Sequence, residues 1–217
     1  MNRGTVLVIG FEPFDDEPTN PSMLIARGLD GECIGGHKIV GAVLPVTFAD
    51  APIALADLLE QHGPQMVIAL GQAGGRAGIS LERIAINLVD ARIPDNSGLQ
   101  PFDSPVLNGG PNAYFSSLPV KAIKCRLDSL GIPCALSLSA GTFVCNQVFY
   151  WLCHLLDTEH HLVRGGFIHV PWLTEQAERH PGQPGMELVT MIEGVRAAIE
   201  CALATQADLP VPGGATH

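Results

Sequence analysis

Short apolar runs and longer helical stretches alternate along this chain. The runs at 5–9, 38–44, 65–70, 134–138 and 165–171 have strand length and are mostly apolar. Runs without polar alternation suit strands covered on both faces, as in a parallel sheet. Helices are predicted at 48–61, 119–130, 143–156 and 186–204, with a further start at Asn20-Pro21, since Asn caps a helix and Pro fits its first position. Thr47 and Thr142 stand where they would cap the helices at 48 and 143, and Gly131 closes the one before it. Residues 81–89 alternate Leu81, Arg83, Ala85, Asn87 and Val89 against Glu82, Ile84, Ile86 and Leu88, which predicts one continuous strand. The order of elements predicts an α/β domain over residues 1–207: a three-layer α/β/α sandwich with a mostly parallel central sheet. Residues 208–217 read as a loose tail.

In such a sheet, ligands bind beyond the carboxyl ends of the strands. The segments expected to meet there are 70–78, 140–145 and 169–171. The loop that begins at Gly71 is rich in glycine but fits neither the dinucleotide fingerprint nor the phosphate-binding loop with its Lys-Ser/Thr. Close approach of backbone to a small ligand is the better use of it. The loop at 90–112 is longer than most connections, and loops of that length tend to serve a site.

The stretch Ser139-Ala-Gly-Thr-Phe-Val-Cys-Asn146 has a turn of small residues followed by an apolar helix. Cys145 then falls in the first helical turn, where backbone N–H groups and the macrodipole favour a thiolate. His169 closes an apolar strand. Glu82 shares a strand face with Ile84, Ile86 and Leu88, so it should be desolvated or paired. A thiolate, an imidazole and a carboxylate acceptor are what cysteine peptidase chemistry requires. Alternatively, Cys145 is a small buried hydrophobe or a redox-sensitive thiol on a non-catalytic scaffold, although a sensor thiol needs neither Glu82 nor His169.

Composition narrows the classes. Twelve basic against 22 acidic residues give a net charge of −10, which argues against a nucleic-acid partner. Aromatic residues make up only 6%, too few for a base-stacking platform. The run at 5–9 is too short for a signal peptide, and no segment reaches the roughly 20 apolar residues of a membrane span. The expectation is a cytoplasmic protein whose six cysteines are reduced thiols. Cys153-His154 and His160-His161 lack a regular ligand spacing, so no metal is expected.

Several longer motifs resemble the pyroglutamyl peptidase I family, also called pyrrolidone-carboxylate peptidases. They are Gly10-Phe-Glu-Pro-Phe14, Glu17-Pro-Thr-Asn-Pro-Ser22, Gly71-Gln-Ala-Gly-Gly-Arg76 and Glu82-Arg-Ile-Ala-Ile-Asn87, then Ala91-Arg-Ile-Pro-Asp-Asn96, the stretch at 139–146 and Gly165-Gly-Phe-Ile-His-Val-Pro171. The resemblance runs from about residue 6 to 188. It implies a cytoplasmic cysteine peptidase that removes N-terminal pyroglutamate from peptides, without metal or other cofactor, commonly as a homotetramer. It further implies Glu82, Cys145 and His169 as catalytic residues, and a substrate pocket of Phe11, Phe14, Asn20, Thr47, Gln72 and Phe143. Arg92 would lie near the oxyanion. Aromatic walls and a few amide hydrogen bonds suit pyroglutamate, a flat and uncharged lactam.

Three positions depart from the pattern of that family. Asp15-Asp16 replaces Gly-Gly and is expected to resist positive φ. Gln147 stands where a histidine is common, and Gly185 replaces a serine, which is expected to weaken a helix cap.

Overall fold

The computed structural model describes residues 4–214. Residues 1–3 of the expected domain and 215–217 of the expected tail lie outside them. The chain runs β1 (Thr5–Phe11), α1 (Pro21–Leu29), β2 (Cys33–Ile34), β3 (His37–Leu44), α2 (Ala51–His62), β4 (Met66–Gln72), β5 (Ile79–Glu82), β6 (Ile84–Ile86), β7 (Ala113–Phe115) and α3 (Val120–Ser129). It continues with β8 (Cys134–Ser137), α4 (Val144–Thr158), β9 (Arg164–Val170), β10 (Trp172–Leu173), α5 (Thr174–Ala177), β11 (Gly185–Met186) and α6 (Leu188–Ala204).

Seven strands form one sheet in the order β2-β3-β1-β4-β9-β5-β8. The β3, β1, β4 and β9 neighbours are parallel, as are β5 and β8, whereas β5 runs antiparallel to β9 and β2 to β3. Side chains alternate between two covered faces, as strand geometry requires. Val6, Val8, Ile68, Leu70 and Ile168 pack with residues of α1, α3 and α6. Leu7, Ile9, Val67, Ala69 and Phe167 pack with α2 and α4. The expected three-layer α/β sandwich with a mostly parallel sheet is therefore what forms. On the first face α1 lies so close that a side chain at Gly41 would come within 2.1 Å of the Ala26 carbonyl. Glycine is what permits that approach.

The strand expected at 81–89 does not exist as one element. It breaks at Arg83: β5 stays in the main sheet, and β6 leaves it to pair with β7. The Asn146 side chain of α4 replaces the missing ladder, accepting from Ile86 N at 3.0 Å and donating to the Ile86 and Leu88 carbonyls at 2.9 and 3.0 Å. Ile84 and Ile86 thus do not share a sheet face with Glu82. Side-chain hydrogen bonds of this kind are local alternatives to a ladder that alternation alone cannot reveal.

Caps also differ from expectation. Asn20 caps α1 as predicted, accepting from Ser22 N at 3.0 Å. Thr142 does not cap α4; its hydroxyl donates to the Asp90 carbonyl at 2.7 Å, and Phe143 is the cap residue with no side-chain bond. Residues before α2 form a turn in which Thr47 and Asp50 bond each other, so the helix begins at Ala51 and not at 48. Gly185 is not at a helix cap: it pairs with Trp172 in a short parallel ladder, and Glu187 is the cap residue of α6, without a side-chain capping bond. Asp208 accepts from Lys121 N and Ala122 N at the start of α3.

Candidate active site

Gly71 of β4 and His169 of β9 are partners in the parallel ladder. Both lie on the sheet face covered by α4, since Phe167, two residues before His169, packs into that core. A side chain at Gly71 would meet the Phe167 ring at 2.8 Å and Cys145 Sγ at 3.0 Å. The sulfur of Cys145 therefore sits over Gly71, beside the strand that carries His169, in space that only a glycine leaves. α4 delivers that sulfur by beginning at Val144.

His169 is buried, and its Nδ1 is 2.8 Å from Glu82 Oε1. Glu82 is fully buried and its Oε1 also accepts from Arg76 at 2.6 Å, while Oε2 has no partner. Burial pushes the Glu82 carboxyl up. Hydrogen bonding and charge at His169, with help from Ser137 and Arg76, outweigh it and hold the pKa below 4.5. An ionised carboxylate only accepts, so His169 carries its proton on Nδ1 and presents Nε2 as an acceptor. Burial depresses the His169 pKa below 6.5, against the opposing pull of Glu82.

The thiol departs from the expectation of a thiolate. Burial, with the Glu82 charge adding to it, pushes the Cys145 pKa up to about 12. The Arg76 charge and the backbone N–H of Cys145 itself act in the other direction without prevailing. The helix terminus acts as foreseen, but desolvation is the larger influence. Both directions favour a neutral thiol beside a neutral imidazole at rest. Arg76, a half-buried cation in the glycine-rich loop, was legible in the motif at 71–76, but nothing in the spacing gave it a role.

The aromatic residues divide into two groups. Phe14 and Phe143 have ring centroids 6.1 Å apart, and Phe48 meets Phe143 edge-on at 5.3 Å. Phe11 is buried against Phe167, which lies 4.8 Å from the His169 ring. Phe48 is thus an aromatic neighbour that no sequence motif had marked; its position just after Thr47 was the available signal. Asn20 uses its side chain internally, on Ser22 and on the Glu12 carbonyl. Thr47 is buried and bonded to Asp50. Gln72 is buried and accepts from Gln176 at 3.1 Å. Gln147 donates to the Phe48 carbonyl at 3.1 Å, and its buried oxygen has no partner.

A cleft of about 400 Å³ opens alongside, lined by Phe14, Asp15, Gln72, Gly74, Arg92 and Trp172 among others. Arg92 stands on its rim, 83% exposed, with its guanidinium 4.0 Å from Asp15. Asp15 and Asp16 take φ of 55° and 58°, so the expected resistance to positive φ is overcome. Aspartate is among the few non-glycine residues that tolerate this region. Among the described residues, no group of three or more His, Cys, Asp or Glu side chains is placed to hold a metal ion.

Known proteins resemble this chain along almost their whole length. The sequence profile of pyroglutamyl peptidase matches residues 4–205. The pyrrolidone-carboxylate peptidase of Cupriavidus taiwanensis is 53% identical over 214 residues, 98% of this chain and 99% of that one. That of Klebsiella pneumoniae is 52% identical over 212 residues, again 98% and 99%. Among solved structures, pyroglutamyl peptidase I from Bacillus amyloliquefaciens superposes with a TM-score of 0.94 at 39% identity, covering 98% of this chain and 100% of its own. A mutant pyrrolidone carboxyl peptidase from Pyrococcus furiosus gives 0.90 at 45% identity, covering 92% and 98%. With a family match over nearly all of the chain and relatives above 50% identity, the chain belongs to the pyroglutamyl peptidase family.

Proposed function

We propose that this cysteine-type peptidase, which removes N-terminal pyroglutamate, does so with Cys145 as nucleophile, His169 as general base and acid, and Glu82 as the group that orients His169. The observation that carries this reading is the bond between Glu82 and His169 Nδ1 at 2.8 Å, on the sheet face where Gly71 leaves room for the Cys145 sulfur.

From a neutral pair, reaction begins with proton transfer. The Cys145 proton passes to His169 Nε2 as sulfur attacks the pyroglutamyl carbonyl, and the imidazolium that forms is stabilised by Glu82. Because no side chain caps α4, its first-turn N–H groups are available to the developing oxyanion. His169 then protonates the departing amine, leaving a pyroglutamyl thioester on Cys145. Water, deprotonated by His169, attacks the thioester and releases pyroglutamate and the thiol.

Phe14, Phe143 and Phe48 would flank the lactam ring, with Gln72 within the same region and Arg92 at its rim; Asn20 and Thr47 support the surrounding turns. The resemblance in the motifs favours a cytoplasmic homotetramer. No described helix is long and apolar enough to cross a membrane. Exposed Phe115 and Leu162 supply apolar surface for assembly.

The test is turnover of a pyroglutamyl coumarin amide with and without reductant, followed by alkylation and mass mapping. Activity that is lost in step with one label on Cys145 is the expected result. Inactivation tracking the exposed Cys33 or Cys125 would overturn the assignment of the nucleophile.

A further inference from the structure

We propose that Arg76 is a positioning residue of this reaction, a clamp that joins the carboxylate orienting His169 to the turn that carries Cys145. The inference rests on the roles given above to Glu82, His169 and Cys145, none of which extends to Arg76.

The geometry is a two-ended bridge. One guanidinium nitrogen of Arg76 donates to Glu82 Oε1 at 2.6 Å, the same oxygen that faces His169 Nδ1. The other donates to the Ser139 carbonyl at 3.1 Å. That carbonyl also accepts from the Ser137 hydroxyl at 3.2 Å, and the Ser139 hydroxyl accepts from Gly141 N at 3.1 Å. Gly141 takes φ of 78°, so the turn needs external ties to stay in one conformation. Arg76 supplies such a tie from a different loop. Only a planar fork of donors spans two acceptors in this way; an ammonium is a point charge on a flexible stem.

The clamp also solves a problem of charge. Glu82 is fully buried with one oxygen unpartnered, an arrangement that is costly without cations close by. When the imidazole is neutral, Arg76 is the only full positive charge bonded to that carboxylate among the described residues. Its charge lowers the pKa of both His169 and Cys145. Removing it should move both titrations upward together, which a merely structural loss would not do. Besides Arg76, Glu82 is the charged group that acts on both His169 and Cys145.

The experiment compares wild type with Arg76→Gln and Arg76→Lys. It measures kcat and KM for the pyroglutamyl coumarin amide from pH 5 to 10, the pH dependence of Cys145 carboxamidomethylation, and Tm. For Arg76→Gln, kcat should fall roughly 10–10²-fold with KM within about twofold, because the reacting groups lose their relative placement. The acid limb of the kcat/KM profile should shift to higher pH by about half to one unit, and Cys145 alkylation at any fixed pH in this range, below the thiol pKa, should slow by about 3–10-fold. Arg76→Lys should keep the limbs near their wild-type positions while kcat remains several-fold low. Coincident pH curves for wild type and Arg76→Gln, with Cys145 still the labelled residue, would overturn the clamp alone. If Arg76→Gln does not fold, Arg76→Lys decides: a several-fold lower kcat supports the clamp, and wild-type kcat overturns it. Labelling of another cysteine in wild type would bring down the nucleophile assignment and the clamp with it.

Discussion

Glu82 and His169 meet diagonally across two antiparallel strands. The ladder sets Ser80 against His169 and Glu82 against Phe167, yet Glu82 Oε1 lies 2.8 Å from His169 Nδ1. Diagonal neighbours on one face remain within reach of aromatic and long side chains. Reversal of β5 relative to β9 is what creates this diagonal.

The first prediction concerns that pair. Glu82→Gln should lower kcat by at least roughly 10²-fold, because an amide no longer stabilises the imidazolium. Since Glu82 raises the His169 pKa and burial lowers it, the variant's acid limb should move further down from the wild-type limb, which itself should lie below pH 6.5. A kcat/KM profile from pH 4 to 9 reads both effects. Wild type also carries a stability term here: the Glu82 pKa is held below 4.5 on folding. The contribution is present above pH 4.5 and fades as pH falls through the folded value.

Asp95 provides the contrast. Its carboxylate accepts from Phe48 N, Ser97 N, the Ser97 hydroxyl and Leu99 N, so it orders the loop beside Phe48. Asp95→Asn should lower stability by about 1–3 kcal/mol and leave the pH limbs in place. A denaturant midpoint and the same pH profile test this. Crippled chemistry in Asp95→Asn with mild effects in Glu82→Gln would require the two roles to be exchanged.

Cys145→Ser should fold and yet lose turnover to below a few per cent, because a hydroxyl is a far weaker nucleophile than a thiol in this neutral pair. Gly71→Ala should act on the same atom from below, since the added carbon would lie 3.0 Å from Sγ and 2.8 Å from Phe167. A kcat loss on the order of 10²-fold is expected if the sulfur shifts by about 1 Å. Wild-type kcat in Gly71→Ala would show that the thiol is not held over this position.

The aromatic residues predict selectivity. A prolyl or glutaminyl amide must bring an ammonium into apolar surroundings, at several kcal/mol if unpaired. The pyroglutamyl amide should therefore be cleaved on the order of 10³-fold better than either. Phe14→Ala and Phe143→Ala should lose kcat/KM while remaining folded. Phe11→Ala, in the core against Phe167, should instead cost about 3–5 kcal/mol of stability. Comparable cleavage of the prolyl amide by wild type would sink the lactam site.

Asp15 and Asp16 hold left-handed backbone at φ 55° and 58°. Asp15→Gly or Asp16→Gly should relieve about 0.5–1 kcal/mol of strain each, partly offset by the greater freedom of glycine in the unfolded chain. Differential scanning calorimetry should show an unchanged or slightly raised Tm; a clear fall would mean that the carboxylates, including Asp15 near Arg92, stabilise the loop.

The sequence by itself determined the layers, because continuous apolar runs such as those in β1 and β4 can only be buried on both faces. It also marked Cys145, His169 and Glu82, each a reactive type in an apolar setting, within motifs long enough to carry a family resemblance. Tertiary structure alone decided how they meet. The reversal of β5, the break at Arg83 and the departure of β6 depend on long-range partners such as Asn146, which periodicity over a few residues does not register. The same holds for Thr142, whose hydroxyl found the Asp90 carbonyl in place of its own helix. It holds as well for the Cys145 thiol, whose pKa follows burial and the charges of Glu82 and Arg76 more than its place in a helical turn. Local chemistry is written along the chain; desolvation and charge pairing arise only when distant segments close around it.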